Sequence, residues 1–423
     1  MLDIKFIRQN PDLIKKAIRS RNYNFDLDSL LELDDKRRKI ITKIEALKAE
    51  QNKISSEMKK LIEEKKDSKK KIEKSKQIKV EISVCENTYN DLNKKFCDTI
   101  YRVPNIPHSS LPVGDASKNT ILRESGSKRR FEFPVLDHIA LAEKLNIIDF
   151  KRATKLSGSN FALFKGVGAQ LERALINFML DTHVMQHGYT EILPSKLVNR
   201  SSMLTTGQLP NLEADMYKMD GEDLFLIPTA EVPLTNIYRD EVLDEKDLPV
   251  KYVAYTPCFR REAGSYGKDT RGLIRVHEFD KVELVKFVKP ENSYAELEGL
   301  LNNACFILDT LRLPYRIVML ATGDISFAAA KCYDIELYAP GIDKWLEVSS
   351  CSNFEDFQAR RGNIKYKDKQ TGKNVFLHTL NGSGVALARL FVAILENYQE
   401  KDGSITIPEV LRRYLGGRER ITK

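Results

Sequence analysis

Between Leu30 and Val103 apolar residues recur in alternating steps of four and three, in two stretches of similar length. This pattern limits the fold more than any other feature of the chain. In the first stretch Leu33, Arg37, Ile40, Ile44, Leu47, Gln51, Ile54, Met58 and Leu61 fall on the a and d positions of a heptad, with two polar lapses. Neither glycine nor proline interrupts it. The steps break over 63–71 (EEKKDSKKK) and resume with Ile78, Ile82, Cys85, Tyr89, Leu92, Phe96, Thr99 and Val103. Two seams joined by a polar turn predict an antiparallel helical hairpin. At about 1.5 Å per residue each helix runs roughly 50 Å, too long for the inside of a compact domain. The hairpin, about 28–103, is therefore expected to be an arm projecting into solvent.

Charge is concentrated in that arm. The chain of 423 residues carries a formal net charge of +8, and residues 36–79 hold 17 Lys or Arg against 7 Asp or Glu. That local excess of ten leaves the rest of the chain near −2, so affinity for a polyanion belongs to this segment. Two readings stay open on these residues alone. One is a coiled coil for dimerisation or spacing, kept soluble by its lysines. The other is a nucleic-acid-binding arm that contacts phosphates, since it is nearly free of the aromatic residues that stack on bases.

The six cysteines, Cys85, Cys97, Cys258, Cys305, Cys332 and Cys351, are scattered without a C-x-x-C pair, as expected of reduced thiols in a cytosolic protein. The six histidines form no HExxH or similar pattern. The N-terminus MLDIKFIRQNPD lacks an apolar core and no apolar run approaches the length of a membrane span, so neither a signal peptide nor a membrane segment is expected.

Ahead of the arm, residues 2–25 read as a short helical element with Pro11 in its early part. After it, VPNIPHSSLPVGD (103–115) has three prolines, ends the second helix and marks a domain boundary. The expected division is 1–103, a linker over 104–120, and a second domain over 121–423. Beyond the linker, 165–187 reads as a helix and 187–194 as a turn into a strand. Further strands are expected over 224–229, 315–321, 333–338, 345–349 and 375–380. The last leads into Asn381, Gly382, Ser383 and Gly384 and a helix from Val385 to about Tyr398.

The most charged stretch of this second domain is FRREAGSYGKDTRGLIRVHEFDKVE (259–283), flanked by YVAY and VELVKFV. It reads as two antiparallel strands around a long loop bearing Gly264, Gly267 and Gly272. A loop of this length is usually functional, and arginines at strand edges suit phosphate. A solvated, salt-bridged hairpin is the competing reading. GSYGKDT is not a P-loop, because its spacing is G-x-x-G-K and no helix pattern follows. NGSGVA (381–386) looks like a glycine turn feeding a helix, but too little chain remains for a dinucleotide fold. Arg389, one turn further, can point back toward an anion at that turn.

In order, a helix leads to a strand ending at Pro194, then strand–loop–strand with FRRE, then NGSGVALAR. This resembles the three signature motifs of class II aminoacyl-tRNA synthetases. Within that class TGQLP (206–210), PTAEVPLTN (228–236), the 259–283 stretch, EVSSCSNFEDFQARR (347–361) and HTLNGSGVALAR (378–389) are similar, in the same order, to the signatures of the seryl-tRNA synthetase family. The helical hairpin resembles that family's tRNA-binding arm. Three departures stand beside the site: Glu278 where glutamine is more usual, Arg261 where serine is common, and Asn211-Leu212 in place of lysine–phenylalanine.

The resemblance implies an α+β fold, with an antiparallel β-sheet catalytic domain, flanking helices and the N-terminal antiparallel two-helix coiled-coil arm. It implies a serine–tRNA ligase that forms seryl-adenylate and pyrophosphate from L-serine and ATP, then moves the seryl group to tRNA(Ser), with tRNA(Sec) a further candidate. A non-catalytic, synthetase-like nucleic-acid-binding protein is the alternative. Carried over by motif position, Arg260, Arg275 and Arg389 are the catalytic arginines. Arg260, Arg261, Glu262, Val276, Phe279, Glu347, Val348, Ser349, Ser350 and Arg389 bind ATP. Glu347 and Ser350 hold Mg²⁺. Thr229, Ala230, Glu231, Glu283 and Ser383 form the serine pocket. The family also implies a cytoplasmic homodimer that does not bind membranes.

Overall fold

A computed structural model describes residues 1–64, 67–263 and 271–423. The chain divides into two compact units: Leu2–Ile18 with Asn24–Val103, and Met1 and Arg19–Tyr23 with Pro104–Lys423. Arg19–Tyr23 and the expected 104–120 linker thus belong to the larger unit. Arg21 gives the reason: its buried guanidinium donates to the carbonyls of Asn105 (2.7 Å), Ser326 (3.1 Å) and Ala329.

In the smaller unit the element expected over 2–25 is two helices, Ile4–Gln9 and Pro11–Ser20. Proline has no N–H to continue the first helix, but its fixed φ suits the first position of the second. The hairpin is Leu27–Glu63 and Lys69–Ile100, about 55 and 48 Å long at 1.5 Å per residue. Its seam is the expected one: Ile54, Ile78 and Ile82 are buried together, with Leu47 and Met58 against them. Lysines of one helix meet glutamates of the other, Lys43 with Glu81 (2.8 Å), Lys48 with Glu86 (2.7 Å) and Glu50 with Lys74 (2.6 Å). The polar lapse at Arg37 is partnered inside the seam through its two terminal nitrogens, which donate to Asn93 and Asp34. Its guanidinium lies 3.8 Å from the Phe96 ring centroid and 3.0 Å from the buried Asp34 carboxylate. No helix among the described residues is long and apolar enough to cross a membrane.

The larger unit is built on one eight-stranded sheet. In chain order its strands are β1 (Thr120–Ser125), β2 (Thr190–Glu191), β3 (Val250–Phe259), β4 (Glu278–Val288), β5 (Tyr315–Met319), β6 (Lys331–Ala339), β7 (Lys344–Asn353) and β8 (His378–Ala386). They lie side by side as β1-β5-β6-β7-β8-β4-β3-β2, antiparallel throughout except for β2 against β3. The α+β class is therefore the observed one. β3 and β4 are the expected pair around the charged loop, Phe259 standing opposite Glu278. Residues 264–270, with most of that loop's expected glycines, lie outside the described residues.

Alternation along β4 sorts the two faces of the sheet. Val282, Leu284 and Val288 point into the main core, which the helices Val167–Met185, Ser293–Thr310 and Leu387–Asn397 cover. Phe279, Lys281 and Glu283 alternate with them.

The strand expected over 375–380 is two strands. Asn374–Phe376 pairs in a small separate sheet, and His378–Ala386 is β8. NGSG is thus not a turn: β8 runs straight through it and the helix starts at Leu387, not Val385. Its glycines answer to packing. A Cβ on Gly382 would lie 2.3 Å from Leu300 Cδ2, and one on Gly384 2.6 Å from His183 Nε2. Two helices press on the strand there and leave room for backbone only.

Candidate active site

On the face opposite the helices, the sheet carries a cavity of about 610 Å³. Its floor comes from β4, β7 and β8 and its rim from the 206–216 and 260–276 segments. The segments TGQLP, PTAE, FRRE, EVSS and NGSGVALAR, far apart in sequence, all reach this one space.

At one end the arginines converge. Arg260 Nε donates to the Pro228 carbonyl (3.3 Å), and its guanidinium lies 5.2 Å from the Phe279 ring centroid. Arg275 is ion-paired with Glu262. Arg389, near the start of its helix, donates to the carbonyls of Glu347 (2.7 Å) and Ile274 (3.2 Å) and stands 3.6 Å from the Glu347 carboxylate. Each guanidinium is anchored by only some of its donors, and a planar five-donor group keeps others for phosphate oxygens.

At the other end two carboxylates are buried. Glu231 opens the short helix Glu231–Thr235, and its Oε1 accepts from Gln358 Nε2 (2.7 Å). Asn381 Nδ2 bridges Glu231 Oε2 (3.0 Å) and Glu283 Oε1 (2.8 Å). Lys281 Nζ is ion-paired with Glu283 and donates to Thr229 Oγ1 (2.8 Å). Two carboxylates thus share one lysine. Burial first, and the Glu283 charge second, push the Glu231 carboxyl up to about 7. A cationic ligand group here would relieve both.

Between the two ends lies the EVSS strand. The β6–β7 register slips between Glu347 and Ser349, so both line the cavity together with Val348 and Ser350. Ser349 Oγ donates to the Ser383 carbonyl (2.5 Å), locking β7 to β8. Behind Ser350 stands Asp334. Burial, and then the Glu347 charge, hold its carboxyl well above the usual carboxylate range. None of the described residues form a group of three or more His, Cys, Asp or Glu side chains able to hold a metal.

Of the residues expected at the site, Thr229, Glu231, Arg260, Glu262, Arg275, Val276, Phe279, Glu347, Val348, Ser349, Ser350, Ser383 and Arg389 line the cavity. Three do not. Ala230 is buried in an apolar cluster with Leu234, Ala254 and Val285. Arg261 is exposed, tied by its backbone N–H to the Asp215 carbonyl (2.9 Å). Glu283 is fully buried and, among the described residues, reaches the cavity through Lys281, Asn381 and Ser383. Lys281, Asn381 and Gln358 were missed. Lys281 was legible, since it precedes Glu283 by two on a strand and shares its face. Gln358 carried no such signal, because it enters from the separate helix Phe357–Gly362.

Residues 1–107 match the family model described as the seryl-tRNA synthetase N-terminal domain, and residues 215–398 match the tRNA synthetase class II core domain (G, H, P, S and T). The chain is 52% identical over 425 residues to the serine–tRNA ligase of Alkaliphilus oremlandii, spanning 100% of both proteins. It is 52% identical over 420 residues to that of Thermodesulfovibrio yellowstonii, spanning 98% of this chain and 99% of the relative. The crystal structure of seryl-tRNA synthetase from Pyrococcus horikoshii complexed with ATP superposes with a TM-score of 0.92 at 39% identity, over 100% of this chain and 99% of that one.

Proposed function

The chain belongs to the seryl-tRNA synthetase family, and from that premise we propose how its own residues carry out ATP-driven ligation of serine to tRNA. The observation that carries the reading is the polarity of one cavity: three anchored arginines at one end and two buried carboxylates at the other. The arginine end suits a triphosphate. The carboxylate end suits the ammonium and hydroxyl of a small amino acid.

ATP lies with its adenine between Phe279 and Val276, its amino group toward Glu262. Arg260 holds the α-phosphate and the serine carboxylate, while Arg275 and Arg389 take the β- and γ-phosphates. The arginines cancel the repulsion between two anions that must meet, so the chain's contribution is positioning and charge neutralisation. A serine carboxylate oxygen attacks the α-phosphorus, the bond to the bridging oxygen breaks, and pyrophosphate leaves. In the second step a terminal ribose hydroxyl of the tRNA attacks the seryl carbonyl and AMP departs.

Glu231 accepts the serine ammonium. Ser383 and Asn381 are within reach of the hydroxyl, and Glu283 acts through them and through Lys281. A pocket that satisfies a hydroxyl rejects alanine, because its buried partners would otherwise stay unpaired. Threonine is excluded by shape. Glu347 and Ser350 are the oxygen ligands we assign to Mg²⁺. One carboxylate and one hydroxyl fit an ion that completes its shell with phosphates and water. Bound there, Mg²⁺ would supply positive charge against the triphosphate.

The arm, with its lysine excess, contacts the phosphates of tRNA(Ser), and tRNA(Sec) is a further candidate substrate. We also assign a homodimer and the cytoplasm, where the aminoacylated product is consumed. The test is serine-dependent ATP–pyrophosphate exchange, with threonine, alanine and cysteine as comparators. Exchange should appear with serine and vanish in Arg260→Ala and Glu283→Ala. No exchange by the intact chain would overturn the reading.

A further inference from the structure

Behind the Phe279 wall lies a second cavity of about 180 Å³, on the helix-bearing side of the sheet. Its walls include Phe161, Phe164 and Phe279, and its polar lining is wholly acidic: Glu172, Glu278 and Asp280. Glu278 and Asp280 alternate with Phe279 and Lys281 along β4, so they face away from the first cavity. Glu172 comes from the Val167–Met185 helix.

Glu172 is the anomaly. It is only 7% exposed, and among the described residues its Oε2 has no hydrogen-bond partner. A buried carboxylate oxygen left unsatisfied has lost its hydration without replacement, which destabilises the folded chain. Across the cavity, Asp280 Oδ1 accepts from the Tyr255 hydroxyl (3.0 Å). Burial and then the Asp280 charge hold the Glu172 carboxyl well above its ordinary value, as expected where a counter-charge is absent.

We propose that this cavity binds a guanidinium cation, with Glu172 and Asp280 as its acceptors and the phenylalanine rings as its walls. A metal ion fits poorly, since among the described residues no three such ligands converge. Two acceptors on separate elements call for separated donors, and a planar fork supplies them while stacking on aromatic faces. The same chemistry could arrive as a free alkylguanidinium or as an arginine side chain of a second copy of this chain.

The test titrates the full-length chain with ethylguanidinium chloride by calorimetry at constant ionic strength. One saturable site per chain is expected. Glu172→Gln and Asp280→Asn should each weaken it at least about tenfold, as loss of a charged hydrogen-bond partner does. Glu231→Gln, in the other cavity, should leave it unchanged. Melting curves identify a variant that fails to fold, and the two variants on opposite walls cover one another. Light scattering during the titration separates the sources: constant mass points to a free cation, dissociation to an arginine of a second copy. No saturable binding, affinity unchanged from the unsubstituted chain in both pocket variants, or loss in Glu231→Gln would overturn the proposal.

Discussion

The fully buried side-chain amide of Gln358 donates to Glu231 Oε1 across 2.7 Å. Its nitrogen also donates to the Thr206 carbonyl (3.2 Å), and its oxygen accepts from Thr379 Oγ1 (2.7 Å). Both amide hydrogens are thereby used and the group cannot rotate. The plane of the Glu231 carboxylate is fixed from behind, by a residue that does not line the cavity.

Gln358 is therefore a positioning residue, and Gln358→Met separates that role from bulk. The substitution keeps the volume and removes the donors. A lost hydrogen bond to a buried charged group is worth about 1.5–3 kcal/mol, so the KM for serine should rise roughly ten- to a hundredfold. The KM for ATP, bound at the other end, should move less than about twofold. Pyrophosphate exchange with each substrate varied in turn checks this. An equal rise in both constants would mean general loosening instead.

The Glu231 carboxyl, pushed up to about 7 by burial and by Glu283, makes serine binding depend on pH. An ammonium binds the ionised form, so serine must displace a proton below that value and need not above it. The KM for serine should therefore fall as pH rises from about 6 to 8. In Glu231→Gln the slope should flatten and the affinity drop. The sign for stability is opposite. Between its unfolded value of 4.5 and about 7 the folded chain holds the extra proton, so this group's contribution to stability is lost as pH rises through that window.

The sequence was most legible where a period was long. The arm's heptads specified both helices and their seam, and alternation in β4 put Lys281 and Glu283 on one face. It was least legible where two meanings share one residue type. Gly382 and Gly384 look the same in a phosphate turn and in a strand beneath tightly packed helices, and only the positions of Leu300 and His183 decide between them. Ala230 shows the same limit. It belongs to a motif whose neighbours Thr229 and Glu231 line the cavity, yet its own side chain turns into the core.

Packing, rather than ligand approach, therefore governs Gly382. The Gly382→Ala methyl would fall 2.3 Å from Leu300 Cδ2 and 2.9 Å from Cys351 Sγ. Forcing one methyl into a filled core costs about 1–3 kcal/mol. Thermal unfolding should show a lowered melting temperature even without substrates. Pairing it with Leu300→Ala should recover part of the loss, which double-mutant analysis measures. A glycine needed only for ligand approach would give normal melting and no such coupling.

The arm makes a separate prediction, because its tip can be removed without disturbing the seam near its base. Lys43 and Glu81 form a cross-helix ion pair at 2.8 Å, so deleting 44–80 and closing the gap with a short glycine linker leaves that rung in place. None of the residues lining the catalytic cavity is touched. Serine-dependent pyrophosphate exchange should stay near that of the full chain, while aminoacylation of tRNA should fall sharply. The full chain's tRNA affinity should decline steeply with salt, by a log–log slope of about −0.7 to −0.9 per phosphate neutralised, and the truncated chain's slope should be shallower. A truncation that lowers exchange and aminoacylation equally would make the arm structural. One that lowers aminoacylation with an unchanged salt slope would mean that it contacts tRNA other than through phosphates.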